Sequence, residues 1–136
     1  RTIPISPNSA DKSAIKNVIN AVKEGNSILI FPEGTRSRTA KLIEAKKGIL
    51  LFARLTNAPI VPIGMSGSEK FMPIEKDMGK EVFYDAEINI NIGKAFHLPT
   101  KNDSETKEEW EDRCLNHIMI SIAKLLPIEY RGYYKK

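Results

Sequence analysis

The sequence predicts an α/β domain with a central, mostly parallel mixed sheet that is flanked by helices and has an antiparallel edge strand. Helix-like and strand-like segments alternate along its first half, over 11–24, 27–31, 44–56 and 60–65. This alternation is typical of a parallel sheet, because each helix crosses over from one strand to the next. Between 82 and 92 the even positions are apolar and the odd positions mostly polar, which predicts a strand with one wet face near a sheet edge.

Apolar residues at helical spacing define the first two helices. In the first they are Ile15, Val18, Ile19 and Val22. Either Asp11 or Ser13 is expected to cap its N-terminus, and Gly25 to end it. In the second helix the apolar residues are Ile49, Leu51, Phe52 and Leu55. We expect this helix to end at Asn57.

The two strands of the first half are short and continuously apolar, which predicts burial on both faces. They cover 27–31 and 60–65. A third helix is predicted over 103–126, where Thr106 and Glu109 stand at the spacing of a capping box. Its buried stripe is expected to include Trp110, Cys114, Ile118 and Leu125.

Composition indicates one folded domain covering residues 1–136. The chain is 41% hydrophobic and has one cysteine, which excludes a disordered tail and a disulfide scaffold. Unpaired Cys114 fits a reducing compartment. No stretch approaches the roughly 18 apolar residues that a membrane span requires. Because residue 1 is Arg and not Met, we expect the chain to begin inside a longer protein.

Positive charge is concentrated in the first half. Residues 1–68 contain ten Lys or Arg against four Asp or Glu, a net charge of +6, whereas residues 69–136 contain eleven against thirteen, a net charge of −2. A basic half predicts an anionic partner, which could be a phosphate, a nucleic acid, a lipid headgroup or an acidic protein. The basic residues after the first strand, Arg36, Arg38, Lys41, Lys46 and Lys47, have no interleaved aromatic residues for stacking on bases.

Candidate binding residues lie in the turn that follows the first predicted strand. Its sequence is Phe31-Pro32-Glu33-Gly34-Thr35-Arg36-Ser37-Arg38. Open α/β sheets place ligands at this position, outside the carboxyl ends of their strands. Gly34 permits close backbone approach, and Thr35 and Ser37 supply hydroxyl groups. The guanidinium groups of Arg36 and Arg38 suit phosphate oxygens.

Glu33 admits two interpretations. Its carboxylate could orient the neighbouring arginines or accept a hydrogen bond from a substrate hydroxyl. Alternatively, residues 33–38 form an ordinary surface turn in which Glu33 pairs with Arg36. The spacing of these residues does not decide between the two interpretations.

Three stretches resemble the glycerolipid acyltransferases, the family typified by 1-acylglycerol-3-phosphate acyltransferase. The stretch Phe31-Pro32-Glu33-Gly34-Thr35-Arg36-Ser37 is similar to the third signature block of that family. The stretch Ala58-Pro59-Ile60-Val61-Pro62-Ile63 resembles the fourth block, an apolar strand with a proline. The ending Leu126-Pro127-Ile128-Glu129-Tyr130-Arg131-Gly132-Tyr133-Tyr134 is similar to the ends of bacterial members.

This resemblance implies transfer of an acyl group from acyl-CoA or acyl-carrier protein to the hydroxyl of a lysophospholipid, with 1-acylglycerol 3-phosphate as the expected acceptor in phospholipid biosynthesis. The acceptor-binding residues it implies are Glu33, Gly34, Thr35, Arg36, Ser37, Arg38 and Pro62. No cofactor is expected, and one cysteine with two distant histidines lacks the spacing of metal ligands. The expected partners are the acceptor, the donor and a membrane surface, with no nucleic acid. The expected location is peripheral, at the cytoplasmic face of the cell membrane.

The family's general base is a His in a His-x4-Asp block upstream of the third block, and this block is missing here. Five residues after His97 and His117 stand Asn102 and Ile122, and both histidines lie downstream of the third block. The chain is therefore expected to be the C-terminal portion of an acyltransferase domain, with no catalytic residue of its own and no activity in isolation.

Two further features keep alternatives open. Where the family's second block has an Arg, this chain has Ile3-Pro4-Ile5-Ser6-Pro7, which leaves room for another acceptor such as a lysophosphatidylethanolamine. The aromatic and basic end of the chain could lie at a membrane interface or be a disordered solubilising tail. The competing function is a non-catalytic α/β module that binds anionic lipid or nucleic acid.

Overall fold

The computed structural model describes residues 12–74 and 82–135. These contain four α-helices, two strands and two 3-10 turns. The helices are α1 (Lys12–Lys23), α2 (Gly48–Thr56), α3 (Ser68–Phe71) and α4 (Lys107–Ala123), the strands are β1 (Ile63–Ser66) and β2 (Asn89–Ile92), and the 3-10 turns are Ile128–Tyr130 and Gly132–Tyr134. The predicted combination of helices and strands is confirmed. The predicted Asp11 cap, Arg1 and the stretch 3–7 lie outside the described residues.

The first helix forms as predicted, and the second begins later than predicted. Helix α1 ends just before Gly25 and buries Ala14 and Val18. Helix α2 begins at Gly48, and residues 45 and 46, which precede it, bond to distant parts of the chain. Ala45 donates to the Tyr134 hydroxyl, and Lys46 donates to the carbonyl of Pro32.

The buried stripe of α2 differs from the prediction by one position. Leu50 is the buried residue of this helix, at 2% exposure, whereas Leu51 and Leu55 are more than 40% exposed. The end at Asn57 is confirmed, since this residue adopts the left-handed conformation and donates its N–H to the carbonyl of Ala53. Residues 49–53 are all apolar, so their pattern does not show which side of the helix is buried. In the structure the buried side is the one where Leu50 packs against α4.

A central parallel sheet does not form among the described residues. Residues 27–31 are irregular there, and Leu29 and Phe31 are 71% and 66% exposed. The predicted strand, buried on both faces, is therefore not observed in the described structure. A strand requires a hydrogen-bonded neighbour, and no described segment forms a ladder with 27–31.

The observed sheet consists of β1 and β2 paired antiparallel, with Ile63 opposite Ile92. An antiparallel strand near a sheet edge is thus confirmed, although it is shorter than the predicted 82–92. Burial on both faces is wrong for β1, because Gly64 and Ser66 are buried while Ile63 is 40% exposed. The exposed apolar side chains of the two strands lie on one face and comprise Ile63, Met65, Ile90 and Ile92.

Helix α4 forms the centre of the core. Its buried residues, Cys114, Leu115, Ile118, Met119 and Ala123, pack against Leu50 of α2 and against Ala45 and Tyr134. The predicted capping box is confirmed, since Thr106 Oγ1 accepts from the N–H of Glu109 while the Glu109 carboxylate accepts from the N–H of Thr106. Among the described residues, none of the helices combines the length and the apolar character needed to cross a membrane.

Candidate functional site

The turn after residue 31 is closed by backbone hydrogen bonds. The N–H of Gly34 donates to the carbonyl of Phe31 at 3.1 Å, and the N–H of Lys46 donates to the carbonyl of Pro32 at 2.9 Å. Gly34 has a φ of +68°, in the left-handed region that favours glycine. The second bond ties the turn to the segment 42–46, which immediately precedes α2.

Glu33 points back into the protein and anchors the turn. Its Oε2 accepts a hydrogen bond of 2.8 Å from the N–H of Ile43. Burial raises the pKa of Glu33, and the bond from Ile43 opposes that rise. Among the described residues Glu33 forms no ion pair with Arg36, so the surface turn closed by that pair is not the arrangement observed.

The other polar side chains of the turn point outward. Thr35, Arg36 and Arg38 are exposed, and the two arginines make no ion pair within the described part of the chain. Ser37 is half-buried, and its Oγ accepts from the N–H of Thr39 at 3.3 Å. The turn therefore presents two guanidinium groups whose donors remain available to an anion.

Pro62 lies in a different part of the described structure. It is buried next to β1, where its carbonyl accepts from the N–H of Gly93 at 2.9 Å. No hydrogen bond of the described residues joins Pro62 to the turn. Its assignment to the acceptor site stays a prediction based on the family resemblance.

A cation that the sequence analysis did not single out lies directly over the turn. A Cβ built on Gly34 would meet Lys46 Cδ at 3.1 Å and Lys46 Nζ at 3.3 Å. The neighbouring Lys47 instead forms an ion pair of 2.7 Å with Asp112 of α4. Lys46 belongs to the basic run between residues 36 and 47. The sequence does not show which lysine of that run lies beside Gly34.

Replacing Gly34 with alanine should lower the free energy of unfolding by about 1 kcal/mol or more, because a side chain at positive φ is strained. Lys46 would also have to move away from the new Cβ. Urea unfolding measures this loss. Gly48→Ala is the matched control, since its Cβ meets nothing within 4 Å and should leave stability equal or higher. Equal stability of the two variants would contradict the left-handed turn.

Among the described residues, no hydrogen bond joins His97 or His117 to the turn. His117 packs edge-on against Phe96 with ring centroids 4.7 Å apart, as expected of a residue at the rim of the core. His97 is exposed. The structure therefore offers no support for either as a general base.

Two clefts of the described structure lie away from the turn. A cleft of about 270 Å³ lies between α2 and the start of α4, beside Arg54 and Trp110. A second, of about 190 Å³, lies beside Tyr133 and Tyr134. Residues 33–38 line neither cleft.

The chain is similar to known acyltransferases. The acyltransferase family matches residues 1–66, which include the turn and β1. The 1-acyl-sn-glycerol-3-phosphate acyltransferase of Cocos nucifera is 35% identical over 118 residues, 86% of this chain and 34% of that protein. The enzyme of that name from Bacillus subtilis (strain 168) is 32% identical over 104 residues, 72% of this chain and 47% of its own length. No solved structure matches.

These matches confirm the predicted resemblance to the glycerolipid acyltransferases. The chain spans less than half the length of the curated relatives just described. A chloroplastic relative from Brassica napus, also named 1-acyl-sn-glycerol-3-phosphate acyltransferase, is 44% identical over 59 residues, 43% of this chain and 17% of that protein.

Proposed function

We propose that this chain is the acceptor-binding part of an O-acyltransferase that acylates the hydroxyl of a lysophospholipid in phospholipid biosynthesis. The proposed acceptor is 1-acylglycerol 3-phosphate, and the donor is acyl-CoA or acyl-carrier protein. One observation supports the site most strongly. Glu33 is held by a backbone N–H, and the adjacent Arg36 and Arg38 are exposed and form no ion pair among the described residues.

In this proposal the turn binds the head of the acceptor. Arg36 donates charge-assisted hydrogen bonds to the phosphate, with Arg38 as a second guanidinium. Thr35 and Ser37 offer hydroxyl groups to the glycerol oxygens. Glu33 holds the turn in the shape that presents these groups, because its carboxylate is fixed by Ile43.

The chemistry itself requires a base that lies outside the chain. An alcohol is a weak nucleophile until a base removes its proton, and a His of the upstream His-x4-Asp block would do so. The acceptor oxygen then attacks the thioester carbonyl, the C–O bond forms, and the C–S bond breaks. The departing thiolate recovers the proton from the imidazolium.

The complete domain is proposed to contain the mostly parallel sheet, with residues 27–31 as one strand. Support comes from the 71% and 66% exposure of Leu29 and Phe31, which would be covered by neighbouring strands. We further propose a peripheral location at the cytoplasmic face of the cell membrane, where a basic surface meets anionic lipid.

An assay of the full-length protein tests the proposed activity. Purified enzyme is incubated with an acyl thioester and with lysophosphatidate, lysophosphatidylethanolamine or monoacylglycerol in parallel, and the acylated products are quantified. The proposal expects phosphatidate as the main product. Acylation of none of the three acceptors would overturn it, and a preference for lysophosphatidylethanolamine would replace the acceptor.

Lys46 and Lys47 form a matched pair for testing the role of the turn. Lys46→Met is expected to raise the KM for lysophosphatidate about fivefold, because it removes the cation that lies over Gly34 while keeping an apolar stem. Lys47→Met changes the net charge equally but breaks only the exposed pair with Asp112, so KM should stay unchanged. Equal effects of both variants would show that only overall charge matters.

The non-catalytic alternative is favoured by the same exposed basic run. Sedimentation with anionic liposomes, set beside an oligonucleotide titration at two salt concentrations, separates the two partner classes. Strong salt-dependent oligonucleotide binding without liposome binding would favour a nucleic-acid module. Liposome binding without any acyl transfer by the full-length protein would favour a lipid-binding module.

A further inference from the structure

The end of the chain folds back onto the segment next to the turn. Residues 128–134 form two 3-10 turns, and Tyr134 is 7% exposed, so the alternative of a disordered solubilising tail is not observed. The tail forms hydrogen bonds with both the N–H group and the carbonyl of Leu42. Leu42 N–H donates to the carbonyl of Tyr130 at 2.8 Å, and the N–H of Tyr133 donates to the carbonyl of Leu42 at 2.9 Å.

The segment 42–46 connects the tail with the turn through the N–H groups of three of its residues. Ala45 donates to the Tyr134 hydroxyl oxygen at 3.1 Å, toward the tail. Ile43 donates to Glu33, and Lys46 donates to the carbonyl of Pro32, toward the turn. The segment 42–46 is therefore hydrogen-bonded both to the tail and to the turn.

Other contacts fix the tail itself. The Tyr130 hydroxyl donates to Glu69 Oε1 at 2.8 Å, and Arg131 Nε donates to the carbonyl of Leu126 at 3.0 Å. Gly132 has a φ of +46° and lies so close to Leu42 that a Cβ there would collide with the Leu42 carbonyl oxygen. The tail is thus attached to α3, to the end of α4 and to the segment 42–46.

We propose that the tail, residues 128–134, braces the acceptor-binding turn and that Tyr134 is a positioning residue for it. This inference rests on the proposed function, because it assigns the tail a role in the same site. Tyr134 does not touch the acceptor. It acts through Ala45, whose N–H it fixes, and so through the neighbouring N–H of Ile43, which orients Glu33.

Tyr134→Phe and Tyr133→Phe test the brace as a matched pair. Both variants keep the ring contact between the two residues, whose centroids are 5.0 Å apart. Tyr134→Phe leaves the buried Ala45 N–H without its partner, whereas Tyr133 is 63% exposed. In the full-length enzyme we expect Tyr134→Phe to raise the acceptor KM about fivefold, with kcat within about twofold. Tyr133→Phe should change neither.

Hydrogen exchange provides a readout that does not depend on activity. Measured by NMR on this chain, exchange of the Ile43 amide should accelerate in Tyr134→Phe and not in Tyr133→Phe. Unchanged exchange would overturn the brace whatever the kinetics. Accelerated exchange with an unchanged acceptor KM in an active enzyme would overturn the positioning role. A full-length protein that acylates no lysophospholipid would instead overturn the proposed function, and exchange would still decide the brace.

Discussion

Replacing Arg36 with alanine in the full-length enzyme is expected to raise the KM for lysophosphatidate about tenfold or more. A hydrogen bond to a charged group contributes about 1.5–3 kcal/mol, and about 1.4 kcal/mol corresponds to a factor of ten in binding. Arg36 is exposed and makes no competing ion pair among the described residues, so this contribution is available to a phosphate. Initial rates at varied acceptor concentration give the KM and kcat of the variant.

Arg54→Ala controls for the loss of one positive charge. Arg54 Nη1 lies 3.4 Å from Glu111 Oε1, and its guanidinium lies over the ring of Trp110. Its loss should leave the acceptor KM unchanged. Monoacylglycerol, which lacks the phosphate, should show little dependence on Arg36. Unchanged kinetics of Arg36→Ala with lysophosphatidate would remove Arg36 from the binding site.

The 136-residue chain by itself is expected to show no acyl transfer. The alcohol of the acceptor needs a base, and the chain has no His followed five residues later by Asp. Its two histidines do not replace that base in the described structure, since His117 packs on Phe96 and His97 has no hydrogen bond to the turn. The expected difference from the full-length enzyme is complete loss of measurable turnover.

Radiolabelled acyl thioester and lysophosphatidate provide the assay, with the full-length enzyme as the positive control. Phosphatidate formed by the isolated chain above the rate without protein would contradict the missing-base explanation. In that case His117→Ala and His97→Ala would show whether either histidine serves as the base.

Features governed by local sequence could be predicted. The capping box at Thr106 and Glu109 and the end of α2 at Asn57 depend on residues within one helical turn, and both are present. Helix α1 follows from its apolar spacing in the same way. The resemblance to the acyltransferases, predicted from motif 31–37 and two other stretches, is also confirmed by the matches to known proteins.

Features governed by distant contacts could not be predicted from the sequence. The strand prediction at 27–31 rested on apolar character alone, and pairing depends on a neighbour that the described residues do not supply. The bonds from Ala45 and Lys46 to residues 134 and 32 join segments far apart in the sequence, and no local pattern predicts them. The hydrogen bond between Glu33 and Ile43 joins residues ten positions apart, and the sequence indicated only the arginines or a substrate hydroxyl as partners of Glu33.

Binding of an anionic glycerol head by the turn can be measured most directly by NMR titration of this chain with glycerol 3-phosphate. Bound phosphate should shift the amide resonances of residues 33–38, and Arg36→Ala should abolish the shifts while leaving those of α4 unperturbed. No shift at residues 33–38, or equal shifts in wild type and Arg36→Ala, would contradict the assignment of the turn as the acceptor site.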